Sequence, residues 1–264
     1  MTIHEQVFWR RYWKHSVMHI NTYPDPEALA RGAADLFVEL AAAAVAARGL
    51  FTVALAGGTT PSAMYRLLAS EEYAARVDWS SVYLFWGDER CVPPDDPASN
   101  YRMARETLLD HVPIPTEHIF RIKGELPPEL AAREHEQELR TFFTRHGLRD
   151  VCGPKFDLIL LGIGDEGHTA SLFPGSVVLH DQVRWVVAVD VAADPPRRIT
   201  LTPLVINAAA QVAFLVAGAQ KADILHTVFT TPPHPDQYPA QLIAPVHGQL
   251  SWLLDAAAAA RLGK

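Results

Sequence analysis

Short apolar or β-branched runs alternate along this chain with longer stretches in which apolar residues recur at helical spacing. Residues 16–20, 51–56, 82–86, 156–161, 185–191 and 211–216 have strand length, and several of them are apolar at every position, as strands buried on both faces are. Between them, residues 26–47 form an alanine-rich helical stretch opened by Pro26 and stopped by Gly49, and residues 61–70 form a shorter one. Residues 128–146 mix alternating charges with Leu130, Leu139, Phe142 and Phe143, the pattern of a half-exposed helix ended by Gly147. Strand and helix in alternation predict an α/β fold, a doubly wound, mostly parallel sheet with helices on both faces. No repeat of fixed period interrupts it, and residues 16–264 read as one domain behind an arm, residues 1–15, of no assigned role.

Composition narrows the classes. Of the 264 residues 49% are apolar and 20% charged, which allows a large core and excludes a chain that is disordered throughout. The net charge of −7 argues against a nucleic-acid partner, which needs a clustered basic surface. Cys91 and Cys152 are too few for a disulfide scaffold, and no segment has the length of a secretory core or a membrane span. The expectation is a cytoplasmic protein with neither membrane nor nucleic-acid partner. His15 and His19, four apart, have no third ligand near them in sequence, and neither a metal nor a cofactor is implied.

Candidate chemistry lies where strands end. The strand at 51–56 runs into Gly57-Gly58-Thr59-Thr60-Pro61, where the glycines permit close backbone approach, Thr60 is placed to cap the next helix, and Pro61 fits its first position. Unpaired N–H groups and a helix dipole then favour an anion, although the same residues also make a plain strand-to-helix turn. No Gly-Lys-Ser/Thr follows, so the turn is not a nucleotide P-loop. The strand at 82–86 ends in Gly87-Asp88-Glu89-Arg90, whose arginine suits phosphate oxygens or, alternatively, an ion pair with Asp88, Glu89, Asp95 or Asp96.

The strand at 156–161 is followed by Gly162-Ile163-Gly164-Asp165-Glu166-Gly167, which satisfies G-x-G-x-x-G. A dinucleotide site needs a long helix next, whereas Pro174-Gly175 leaves room for barely two turns. What remains is a glycine-rich loop carrying His168, a side chain suited to proton transfer near neutral pH. Ser171 lacks the G-x-S-x-G context of a nucleophile and reads as a capping or packing serine in that short helix.

Taken in order, GGTTP at 57–61, FWGDER at 85–90, SNYRM at 99–103, GIGDEGHTASLFP at 162–174, RRITLTP at 197–203 and GAQK at 218–221 resemble the 6-phosphogluconolactonase family. The resemblance covers about residues 20–260, including the tail at 239–259, and implies a Rossmann-like fold of the sugar-phosphate isomerase type. It implies His168 as the general base that activates water, with Asp165 and Glu166 beside it. Gly57, Gly58, Thr59, Thr60, Arg90, Asn100, Gly167, Arg198 and Lys221 would surround a sugar phosphate. Adjacent strand residues face opposite ways, so of Arg197 and Arg198 at most one enters the pocket, and the motif selects Arg198. Glu166 stands where the family usually has Asp, a longer reach toward the histidine.

The implied activity is hydrolysis of 6-phospho-D-glucono-1,5-lactone in the oxidative pentose phosphate pathway. Two alternatives stay open: a glucosamine-6-phosphate deaminase or isomerase, which is similar in fold, and a non-catalytic sugar-phosphate sensor. Recognition of the sugar hydroxyls is expected of Asn100, Asp165 and Gln241. The sequence leaves the oligomeric state open.

Overall fold

A computed structural model describes residues 17–150 and 153–263; the arm at 1–15, Ser16 and Cys152 lie outside the described residues. The first half of the chain runs β1 (Val17–Tyr23), α1 (Pro26–Arg48), β2 (Phe51–Leu55), α2 (Thr59–Leu68), α3 (Glu71–Ala74), β3 (Val82–Trp86), β4 (Asp88–Arg90), α4 (Asn100–Thr107) and α5 (Pro128–Arg145). The second half runs β5 (Arg149–Asp150), β6 (Gly153–Pro154), β7 (Leu158–Leu161), β8 (Val186–Asp190), β9 (Arg197–Leu201), α6 (Pro203–Ile206), β10 (Gln211–Val216), α7 (Ala222–Thr230) and β11 (Gln249–Asp255). Asp25 caps α1 by accepting the Ala28 N–H at 2.8 Å, and Gly49 closes that helix in the left-handed region.

Six strands form one parallel sheet in the order β1-β11-β10-β7-β2-β3. Every residue of β2, β7 and β10 is buried, so both faces of the sheet centre are covered, which is why these runs show no alternation. From β2 the chain steps outward to β3, and from β7 it steps the other way to β10 and β11. The order therefore reverses between β2 and β7, the kind of switch point where open α/β sheets take their ligands. No helix among the described residues is long and apolar enough to cross a membrane.

The run at 185–191, expected in the parallel sheet, is β8 of a separate antiparallel sheet, β4-β9-β8. An apolar run signals burial but not the direction of its partner, and β8 loses burial toward Asp190. Gly87 joins the two sheets, its N–H donating to Leu55 O at 2.9 Å and its carbonyl accepting from Leu201 N at 2.9 Å.

Other expectations also need correction. Helix α2 begins at Thr59 with Gly58 as its cap at φ 101, so Thr60 is not the cap and Pro61 is the third helical residue, where a missing N–H still costs nothing. Residues 168–173 form no helix: Thr169 pairs with Leu172 across a tight turn that holds Ala170 at φ 48. Strand β11 lies between β1 and β10, yet its run into Ala256–Ala260 carries no strand punctuation in the sequence.

Candidate functional site

The carboxyl ends of β2, β3, β7 and β10, four neighbouring strands, open onto a cleft of about 280 Å³. Gly57 and Gly58 line it from the turn after β2, Asp88 and Arg90 from β4, and Asn100 from the first turn of α4. His168 and Lys221 complete it from the loops after β7 and β10. Segments more than a hundred residues apart are thus brought together by strand adjacency alone.

Each wall has an identifiable support. Tyr65 of α2 is fully buried, and its hydroxyl accepts from Ala56 N (3.0 Å) and donates to Ala56 O (2.9 Å), pinning the end of β2 ahead of the glycine turn. A Cβ on Gly57 would collide with the Asn100 side chain, and one on Gly164 would collide with the His168 ring, so both glycines are required for close approach. Asn100 is fixed by the buried Glu89 carboxylate, which accepts from Asn100 N (2.7 Å), Tyr101 N (2.8 Å), Arg90 N (2.7 Å) and Ser99 Oγ (3.0 Å). Burial pushes the Glu89 pKa up, against the pull of these backbone donors. The loop bearing Lys221 is held by Asp255 of β11, whose carboxylate accepts from Gly218 N at 3.0 Å.

Of the cations at or beside the cleft, Lys221 has a carboxylate partner, whereas Arg90 and Arg198 have none among the described residues. Arg90 and Arg198 are direct cross-strand neighbours on β4 and β9, so both side chains project from the same face of that sheet. Arg90 donates to Ala98 O (2.6 Å) and Arg198 to Pro195 O (2.7 Å); neither makes an ion pair with a described carboxylate. The pairs of Arg90 with Asp88, Glu89, Asp95 or Asp96 that the sequence allowed are therefore not formed. Burial first, and then the neighbouring Arg90 guanidinium, push the Arg198 pKa down. Arg197 faces outward and pairs with Glu129 (2.7 Å) and Asp190 (2.9 Å).

His168 stacks on Phe173 with ring centroids 4.1 Å apart and planes 17° apart. Glu166 Oε1 lies 3.1 Å from Nδ1, but off the line a hydrogen bond needs, and the buried Nδ1 has no hydrogen-bond partner. Lys221 Nζ donates to Asp165 Oδ1 at 2.6 Å.

Some expected residues fall elsewhere. Thr59 and Thr60 sit in the first turn of α2, outside the cleft lining. Gly167, in the left-handed region, packs against Tyr238 and Ile224 and not against the cleft. Gln241 accepts from His234 N and donates to Val228 O, and it does not line the cleft. Sequence reading missed Asp88 and misplaced Ser171, whose hydroxyl donates to Asp88 Oδ2 at 2.6 Å; the short spacing to Arg90 was the available signal for Asp88, whereas nothing local announced a partner 83 residues away for Ser171.

A larger groove of about 590 Å³, floored by Tyr83, Phe120 and Phe142, lies between the sheet edge and α5. It contains none of the expected residues, and size alone does not outweigh a convergent set of charged and titratable groups.

Comparisons with known proteins show the family and the fold. The chain is 41% identical over 246 residues to the 6-phosphogluconolactonase of Nostoc sp., covering 92% of this chain and 98% of that one. It is 45% identical over 213 residues to the 6-phosphogluconolactonase of Synechocystis sp., covering 80% and 85% respectively. The solved 6-phosphogluconolactonase of Trypanosoma brucei matches with a TM-score of 0.81 at 30% identity, over 93% of this chain and 98% of that one. A monomeric glucosamine-6-phosphate deaminase shares the fold with a TM-score of 0.76 at 20% identity. With residues 24–252 matching the description glucosamine-6-phosphate isomerases/6-phosphogluconolactonase, the chain belongs to that family.

Proposed function

We propose that this chain is a 6-phosphogluconolactonase that hydrolyses 6-phospho-D-glucono-1,5-lactone to 6-phospho-D-gluconate, the lactone-opening step of the oxidative pentose phosphate pathway, in the cytoplasm. The observation that carries the reading is the meeting of His168 and Arg90 in a single cleft at the switch point of the sheet, with Arg198 directly across the strand pair from Arg90 and neither guanidinium paired with a described carboxylate. Curated relatives of that name at 41% and 45% identity support the choice of substrate over an amino sugar.

In this mechanism Arg90, Arg198 and Lys221, with the N–H group at Gly58 ahead of α2, grip the phosphate. The grip sets the lactone carbonyl beside a water held by His168. The imidazole takes a proton from the water as its oxygen attacks C1, the C1–O5 bond breaks, and the proton passes to O5 of the leaving alcohol. Binding energy from the remote phosphate is spent on orienting the reacting carbon. Glu166 steadies the imidazolium that forms transiently. Asp165 holds Lys221 within reach of the phosphate.

Purified protein given the lactone should release acid above the spontaneous rate, and given glucosamine 6-phosphate should release no ammonia. His168→Ala should lower kcat by about a hundredfold or more, the usual range for loss of a general base, with affinity for 6-phosphogluconate held within about twofold. Equal turnover by the two proteins, after subtraction of the spontaneous rate, would remove His168 from the mechanism.

A further inference from the structure

Between the strand that carries Arg90 and the loop that carries His168, one partly buried hydrogen bond crosses from a side chain of one to a side chain of the other. Ser171, three residues after His168 and 1% exposed, donates from Oγ to Asp88 Oδ2 at 2.6 Å. Asp88 stands two residues before Arg90 on β4, on the same face of the strand. Its other oxygen accepts from Asn100 Nδ2 at 3.2 Å, and its carbonyl accepts from the same amide at 2.9 Å. The Ser171 N–H donates to Thr200 Oγ1 at 3.3 Å, and Thr200 lies directly opposite Asp88 in the antiparallel sheet. Of the loop's other side-chain bonds, Thr169 Oγ1 to Gly162 O at 2.8 Å ties it to the end of its own strand, and Lys221 Nζ to Asp165 at 2.6 Å ties it to the exposed loop after β10.

Ala170, between Thr169 and Ser171, has φ 48, a left-handed conformation that costs a residue with a Cβ and persists only where its surroundings impose it. The contacts of Thr169 with Gly162 and of Ser171 with Asp88 and Thr200 lie immediately on either side of it.

We infer that Ser171 is a positioning residue: by fastening the His168 loop to Asp88 it sets the distance between the imidazole and the Arg90–Arg198 anion grip. The inference rests on the lactonase reading for its kinetic consequence, and on geometry alone for its structural one. Phosphate anchoring orients a substrate only if the base stands at a fixed place relative to the anchor, and a displacement of about 1 Å between them can cost on the order of a hundredfold in rate.

The test has two arms. In the kinetic arm, Ser171→Ala should lower kcat by about 10- to 100-fold, while affinity for 6-phosphogluconate stays within about twofold, a split that general loosening of the fold does not produce. In an Asp88→Ala background the same change should have little further effect, because its partner is gone. Ser171→Cys, which keeps the side-chain volume and replaces the hydroxyl by a weak donor, replaces the alanine variant if that does not fold. In the structural arm, which needs no substrate, the His168 ring signals in NMR spectra of the unliganded protein should move or broaden in Ser171→Ala. Unchanged kcat, parallel losses of kcat and affinity, or a full additive loss in the Asp88→Ala background would overturn the inference. If wild-type protein opens no lactone the functional reading fails, and His168 signals unmoved by Ser171→Ala would then still sink the docking role on its own.

Discussion

Single side chains decide where charge is left uncompensated. Two adjacent arginines of β9 illustrate it: Arg197 spends its charge on Glu129 and Asp190, while Arg198 turns inward beside Arg90 with only carbonyl oxygens to hold it. Arg198→Ala should weaken binding of 6-phosphogluconate by about 1.5–3 kcal/mol, the usual worth of a hydrogen bond to a charged group, whereas Arg197→Ala should leave it within about twofold. Calorimetric titration of both variants checks this, and equal losses would detach Arg198 from the anion grip. At this scale much was readable, because Gly-Gly-Thr, Gly-Asp-Glu-Arg and Gly-His each declare a chemistry in a few consecutive letters. Occupancy was not readable. Gln241 and Gly167 carry suitable groups, but their partners come from segments that only folding brings to them.

Elements place those side chains, and the first turn of α4 shows how tightly. Glu89 is 2% exposed and offers both oxygens to the backbone N–H groups of Asn100 and Tyr101, a carboxylate set at the positive end of a helix. In Glu89→Gln one oxygen becomes a donor that faces donors. The expected loss is about 1–3 kcal/mol of stability, seen as a lowered Tm, together with weaker substrate binding because Asn100 loses its anchor. An unchanged melting curve would show that the helix start is held by other means. Helices α1 and α5 were legible from composition and period, with a cap, an opening proline or a closing glycine at their ends. The starts of α2 and α4 were not: Gly58 caps α2 through its backbone conformation, and α4 takes its cap from a distant carboxylate as well as from Ser99.

For the molecule as a whole, the sheet order makes distant strands depend on one another. β11 is the wedge between β1 and β10, and Trp252 on it is buried, stacked on Phe214 at 3.8 Å with planes 3° apart and meeting Phe229 edge-on at 4.9 Å. Trp252→Ala should cost about 3–5 kcal/mol, the usual loss for a large aromatic removed from a core. Trp252→Phe should cost less, since it also removes an indole N–H that is buried without a partner. Chemical denaturation of the two variants measures both. A near-neutral alanine variant would mean that β11 contributes little to the joining of the two halves. From its letters alone this protein had its α/β class, four of the parallel strands nearly to their ends, and the residues able to bind an anion or move a proton, because burial period and side-chain chemistry are local properties. Tertiary structure alone decided that β8 pairs antiparallel with β9, that β11 closes the sheet, and that Ser171 meets Asp88. Strand partner, strand direction and hydrogen-bond occupancy are set by segments far apart in the chain, and no stretch of sequence carries its neighbour's address.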